Sequence, residues 1–316
     1  MTPPRLFVSD IEAAEPLIDP VFRQSPQYVC EPLGDALGCE LTVKVETQNP
    51  IRSFKGRGAD WLMARNTSPR VVCASAGNFG QAMAYAGRAR HVPVTVYAAT
   101  ATNPLKIERM QALGAEVVRH GDDFDAAKAE ARRAAQAAGD RFVEDSVDLE
   151  TLIGAGTIGL ELARLPYRLD ALLVPLGNGA LINGIGTAMK ALSPHTRIIA
   201  VQSAGAPAMI ESWRRGEVVV HDRIDTIADG ISVRVPVPQA LADMRGLVDD
   251  GLLVSEASML RAMPLLHQHT GLVVEPSGAV GVAALLEHRA QFAGQRVGTI
   301  LCGGNLTIEQ MRRYLG

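Results

Sequence analysis

Cysteine is scarce and scattered in this chain: four in 316 residues, at Cys30, Cys39, Cys73 and Cys302. None belongs to a CxxC pair, which excludes the short-spaced metal and redox motifs and fits reduced thiols in a cytoplasmic protein. A basic arm or Lys/Arg run is also missing and the net charge is −3, so nucleic acid is not an expected partner. Apolar runs are broken by Gly, Pro or charge well short of membrane-spanning length, and no membrane association is expected. The opening MTPPRLFVSD carries Pro and Asp where a signal peptide would need continuous apolar residues. Internal repeats and low-complexity linkers are lacking too.

Apolar residues, by contrast, make up 47% of the chain, enough for a large core divided between two lobes. Short β-branched runs alternate with helical patterns. Strands are predicted at Leu41–Thr47, Arg70–Ser75, Pro93–Ala99, Ala115–His120, Ala171–Leu176, Arg197–Gln202 and Val297–Leu301. Asn103-Pro104, then LKIERMQAL and Gly114, reads as N-cap, first-turn proline, helix and terminating glycine. The alternation predicts an α/β fold of two parallel-sheet lobes with helices on both faces.

Three strand–turn–helix segments carry the chemistry. In VKVETQNPIRSFKGRGAD, Ser53-Phe54-Lys55 opens a helix. A lone lysine there is commonly a solvated side chain. A cation in a first helical turn opposes the macrodipole, however, and beside an apolar Phe it can be sheltered, suited to a Schiff base with an aldehyde. In VVCASAGNFGQAMAYAGR, Ser75-Ala76-Gly77-Asn78 precedes a helix whose free N–H groups suit a carboxylate; Asn78 either contacts a ligand hydroxyl or caps the helix. In LLVPLGNGALINGIG, Gly177-Asn178-Gly179-Ala180 exposes N–H groups at a positive helix end, a phosphate cradle rather than an ordinary turn. Gly154-Ala155-Gly156-Thr157-Ile158-Gly159 matches the dinucleotide pattern GxGxxG by letter, but the acidic SVDLETLI before it is no β-strand, so no nucleotide site is expected. Cys302 ends a buried strand before Gly303-Gly304-Asn305, where a cysteine is most often a small core residue.

In this order the segments resemble the fold-type II pyridoxal-phosphate enzymes (tryptophan synthase β-like), in particular the serine/threonine dehydratase and serine racemase branch. The resemblance runs from about Lys44 to Asn305 and includes DTIADGISV (Asp225–Val233), VVEPSGAVG (Val273–Gly281) and GAGTIG. It implies pyridoxal 5'-phosphate bound as a Schiff base to Lys55, with cofactor contacts from Phe54, Asn78, Gly177, Asn178, Gly179, Ala180, Leu181, Glu275 and Cys302. Asn78 is expected near the ring hydroxyl and Cys302 at the pyridine nitrogen. Arg52, Ser75, Ala76, Gly77, Asn78 and Phe79 are expected to border an amino-acid substrate.

The implied activity is β-elimination of L-threonine, L-serine or an analogue to a 2-oxo acid and ammonia. Alternatives are a β-replacement or threonine-synthase-like reaction, and a non-catalytic cofactor-binding protein. The resemblance also implies a homodimer, with residues 1–67 and 147–316 in a large cofactor domain and 68–146 in a small one.

Departures from the family pattern are Ile51-Arg52 for Thr-Gly, Phe79 for a His, and Asn178 and Ala180 within the usual glycine run. They bear on the substrate more than on the cofactor. The C-terminal regulatory domain of regulated threonine dehydratases is not expected here. Gln202 and Ala208 stand where related racemases place metal-binding carboxylates, so no divalent metal is expected. Ala76 replaces the racemases' second serine, so elimination is expected over racemisation.

Overall fold

The computed structural model describes residues 4–316. Its strands are β1 Gln27–Val29, β2 Glu40–Val45, β3 Val71–Ala74, β4 Val94–Ala98, β5 Glu116–Arg119, β6 Arg141–Val143, β7 Ala171–Pro175, β8 Arg197–Ser203, β9 Asp250–Val254 and β10 Arg296–Leu301. They form a six-stranded sheet, β1-β2-β10-β7-β8-β9, and a four-stranded sheet, β5-β4-β3-β6. Only the β1–β2 pair is antiparallel among the described residues. All of β3 and β7 is buried, as expected of parallel strands with helices on both faces.

The strand period of two divides the larger core into two layers. Leu173, Val43 and Leu301 pack on one face with the Pro276–Glu287 helix, while Leu172, Val174 and Ile300 pack on the other with the Ala180–Leu192 helix. In the smaller sheet Val71, Cys73 and Val96 face one core, and Val72 and Ala74 meet Ala131 and Ala135 on the opposite side.

Each strand expected from the sequence is present, with ends displaced by at most two residues. Three were missed. β1 and β6 are three residues long, too short for a readable period, and β9 lies at a sheet edge. The helix over Pro104–Ala112 is capped as anticipated, with Asn103 Oδ1 accepting from Leu105 N at 2.9 Å.

The GxGxxG letters fall inside the Leu149–Ala163 helix, where they serve close packing. A Cβ on Gly154 would lie 2.4 Å from Gly58 Cα in the Lys55–Arg65 helix. A Cβ on Gly184, in the Ala180–Leu192 helix, would lie 2.6 Å from Gly156 N. Three helices therefore meet backbone to backbone, and the segment that follows Lys55 is held at a fixed depth.

That depth is also set by charge. Arg57 is fully buried and donates Nε to Glu46 Oε2 at 2.9 Å, Nη2 to Glu46 Oε1 at 2.8 Å and Nη1 to Glu161 Oε1 at 2.6 Å. Lys44 Nζ joins through Glu161 Oε2 and through Ser25 O, the latter at 2.8 Å. Burial opposes the Arg57 charge, but Glu46 and Glu161 outweigh it and hold its pKa above the ordinary arginine value. Burial opposes the Glu161 charge too, yet Arg57 and Lys44 leave that carboxyl below its usual range. For Lys44 burial dominates its attraction to Glu161 and Glu46, and its pKa is lowered.

Replacing Arg57 by Leu leaves two buried carboxylates sharing one lysine, and removing one partner of such a network costs about 3–5 kcal/mol. Denaturant unfolding of Arg57→Leu should show a loss of that order. A loss below about 1 kcal/mol would mean that the network does not anchor the fold.

Candidate active site

Adjacent pairing of β2 and β10 brings their C-terminal ends together, and the Lys55 turn is built on that edge. Asn49 shapes it: Oδ1 accepts from Ile51 N at 3.1 Å and Ser53 N at 3.3 Å, and Nδ2 donates to Glu46 O at 2.9 Å. Arg52 takes a left-handed conformation (φ +52°), and its carbonyl accepts from Gly304 N at 2.9 Å. Ser53 bridges Gly303, and Phe54 N donates to Cys302 O at 3.1 Å. The turn thus lies along Cys302–Asn305 and delivers Lys55 as the first residue of its helix. Lys55 Nζ rests 4.5 Å from the Phe54 ring centre and donates to Asp145 Oδ2 at 2.6 Å.

Above this turn Asn78, Glu275 and Asn305 join the two lobes. Asn78 Nδ2 donates to Glu275 Oε1 at 2.7 Å, Asn305 Nδ2 donates to Asn78 Oδ1 at 2.9 Å, and Asn305 N donates to Glu275 Oε2 at 2.9 Å. Asn78 therefore spends its side chain across the cleft instead of capping its helix. Gly303 is needed here, since a Cβ would lie 2.3 Å from Glu275 Oε1. The lobes also meet through Arg109 Nη2, which donates to Leu306 O at 3.2 Å, and through the Lys106–Asp229 ion pair.

The segment Gly177–Leu181 leads from β7 into the Ala180–Leu192 helix. Gly179 has φ +103°, a backbone shape that L side chains rarely adopt, and no side chain among the described residues caps the helix at this residue. Ala180, Leu181 and Ile182 are buried, so the helix start is a sheltered cradle of N–H groups. From outside the helix, Ser146 Oγ accepts from its first N–H, Ala180 N, at 3.1 Å. Cys302 is buried, its Sγ lies 3.6 Å from Ser277 O, and burial, then the Glu275 charge, push its thiol well above the usual range. A lysine amine at a cleft, a buried helix start of small residues and an uncharged thiol together fit an aldehyde-bearing aromatic phosphate.

Phe54, Lys55, Asn78, Glu275 and Cys302 are thus brought into one connected site. Ser75 Oγ accepts from Gly77 N at 3.1 Å and Gly80 N at 2.9 Å, which occupies it within its own loop and leaves Ala76 exposed at the tip. Phe79 packs into the small-lobe core and also lines a cleft with Phe54, Lys55 and Asp145. Arg52 is exposed and contributes its backbone to the site. Asp145, Ser146 and Asn305 were missed. The first two follow a strand too short to recognise, whereas Asn305 closes the LCGGN run and could have been included with it.

A family model described as pyridoxal-phosphate dependent enzyme matches residues 18–303. An L-threonine ammonia-lyase of Geobacter sulfurreducens is 37% identical over 87% of this chain and 69% of its own. Among solved structures, the processed form of threonine deaminase isoform 2 from Solanum lycopersicum superposes with a TM-score of 0.90 at 30% identity, covering 97% of this chain and 91% of that one. Maize serine racemase superposes at 0.91 with 27% identity over 97% and 96%. The chain belongs to the family of pyridoxal-phosphate dependent enzymes. It is a fold-type II lyase of the threonine ammonia-lyase branch, and its cofactor is pyridoxal 5'-phosphate.

Glu275 makes the site's own contribution to stability pH-dependent. Burial, and next the Asp229 charge, push its carboxyl up to about 7 from 4.5 against the bonds from Asn305 and Asn78. An acid whose folded pKa is raised stabilises the fold below its unfolded pKa and loses that contribution as pH rises through the folded value. Between pH 4.5 and about 7 the protein should lose up to about 3 kcal/mol through this group. Glu275→Gln should flatten that slope in unfolding measured across the window. Equal slopes in both proteins would show that Glu275 titrates normally.

Proposed function

We propose that the protein eliminates the β-hydroxyl of a small hydroxy-amino acid, L-threonine, L-serine or a close analogue, giving a 2-oxo acid and ammonia. The observation that carries this reading is the Lys55 amine, lining the cleft and joined through the consecutive residues Asp145 and Ser146 to the helix start at Gly177–Leu181. The threonine ammonia-lyase and threonine deaminase named above support the choice of substrate.

When bound, pyridoxal phosphate supplies an aldehyde that captures amines and a ring that withdraws electrons from Cα. Lys55 would hold it, with Phe54 beside the lysine, while N–H groups of Gly177, Asn178, Gly179, Ala180 and Leu181 receive the phosphate at a positive helix end. Asn78, fixed by Glu275 and Asn305, would meet the ring hydroxyl. The Ser75–Phe79 turn offers N–H groups to the substrate carboxylate, and the Lys55 amine takes the Cα proton as general base. Cys302 would meet the pyridine nitrogen. A neutral thiol cannot hold that nitrogen protonated as a carboxylate would, so charge at Cα is best discharged at once by expelling the β-substituent. Ala76 has no hydroxyl with which to return a proton to the opposite face, which disfavours racemisation.

Three further features complete the reading. The two sheets support a large domain of residues 1–67 and 147–316 and a small domain of 68–146. The unpaired cysteines support a cytoplasmic location, and the family resemblance supports a homodimer. No divalent metal is required, since Gln202 Oε1 already accepts from Ile210 N at 3.1 Å and Ala208 carries no ligand atom on its side chain. No helix among the described residues is long and apolar enough to cross a membrane.

Lys55→Ala should keep the far-ultraviolet circular dichroism of the parent, lose the visible absorption band of the bound cofactor and lose 2-oxo acid formation by at least about a thousand-fold. Most of the activity surviving in that variant would overturn the assignment of Lys55.

A further inference from the structure

Asp145 has no role in the reading above beyond its contact with Lys55, yet its two oxygens are in different situations. Oδ2 accepts from Lys55 Nζ at 2.6 Å. Oδ1 is buried and has no hydrogen-bond partner among the described residues. Buried carboxylate oxygens are nearly always satisfied, so an orphan one at a cleft marks a place kept for a donor. The donor is not a neighbouring side chain. Lys128 and Arg132 are paired with Glu144, and Arg141 with Asp148 and Glu150. These local cations are committed, and Asp145 lines a narrow cleft together with Phe54, Lys55, Gly58, Ala59, Phe79 and Thr151.

Besides Lys55, and Thr151 whose hydroxyl is taken up by Asp148 O and Ser146 N, the lining is apolar or glycine, so Asp145 is its one negative group. A free carboxylate oxygen beside a lysine amine accepts best from a second ammonium group, through a charge-assisted hydrogen bond. It repels a group of its own sign. We propose that Asp145 is the docking point for the α-ammonium group of the incoming amino acid and the positioning residue for Lys55. One carboxylate then borders the Lys55 nitrogen through Oδ2 and holds the arriving ammonium on Oδ1, which brings the two nitrogens side by side. This rests on the proposed amino-acid substrate and adds to it a reason why a 2-amino acid is taken and the corresponding 2-hydroxy acid is not.

The test uses the holoenzyme and two ligands that cannot be eliminated. L-Alanine carries an ammonium group but no β-leaving group, and its binding is followed by the change it causes in the visible band. L-Lactate carries the carboxylate without the ammonium, and its binding is followed by competition with alanine. Asp145→Asn should raise the alanine dissociation constant at least ten-fold while leaving that of lactate unchanged or lower, because a repelling charge is gone. Asp145→Glu, which keeps the charge, should recover part of the alanine affinity.

Equal weakening of both ligands, or of neither, would overturn the proposal. So would loss of the visible band in both variants, since Asp145 would then serve cofactor retention alone. Because the band and 2-oxo acid formation are measured on the unchanged enzyme, failure of the docking role is distinguishable from failure of the substrate assignment.

Discussion

The guanidinium of Arg57 clasps Glu46 with two hydrogen bonds and Glu161 with two more, in a space closed to water. Glu46 lies just before the turn that carries Ser53-Phe54-Lys55, and Arg57 just after it. The ion pair therefore closes the base of that loop, and Glu161 ties the closure to the neighbouring helix. Lys44 supplies the second cation, so two positive and two negative groups balance in the core. A charged network of this kind is not an efficient source of stability, because desolvation offsets much of the attraction. What it gives is directionality. Apolar packing tolerates small slippage of a helix, whereas four charged groups with matched hydrogen bonds do not, and Lys55 sits two residues from Arg57.

A second constraint acts across the cleft. Asn78 arrives from the smaller sheet, and Glu275 and Asn305 from the larger, and their mutual hydrogen bonds are satisfied only with the lobes together. Lys106–Asp229 and Arg109–Leu306 repeat the connection at the rim. The site is therefore assembled by closure: the amine belongs to one lobe, its partner Asp145 follows the last strand of the other, and the cradle follows β7. Cys302 completes it from the end of β10, in an environment that favours the uncharged thiol. The electrostatic character of the site follows: an uncharged thiol at Cys302, one carboxyl raised to about 7 at Glu275, and one carboxylate beside the lysine.

Much of this was readable from the chain because each part is local. A buried strand, a turn rich in small residues and a helix follow within about a dozen positions, so the Lys55, Ser75–Phe79 and Gly177–Leu181 segments announce themselves, and their order carries the family resemblance. Features made by distant residues were not readable. Arg57 and Glu161 are separated by 104 positions and Lys44 and Glu161 by 117, and nothing in the composition links them. Asp145 and Ser146 were hidden by the brevity of β6. The side chain of Asn78 was ambiguous between cap and contact until Glu275 was seen opposite it. The GxGxxG match was rightly set aside as a nucleotide site, but its purpose, helix backbones in contact at Gly58, Gly154, Gly156 and Gly184, required the three-dimensional packing.

The account stands or falls on the fate of a hydroxy-amino acid offered to the purified holoenzyme. L-Serine and L-threonine should be followed separately, measuring 2-oxo acid, ammonia and the enantiomeric composition of the amino acid that remains. The proposed roles predict equimolar 2-oxo acid and ammonia from at least one of the two, with little D-serine formed from L-serine, because Lys55 would serve one face of Cα and Ala76 has no proton to offer the other. Rapid inversion of L-serine with little 2-oxo acid, or no turnover of any β-hydroxy-amino acid despite an intact visible band, would contradict it.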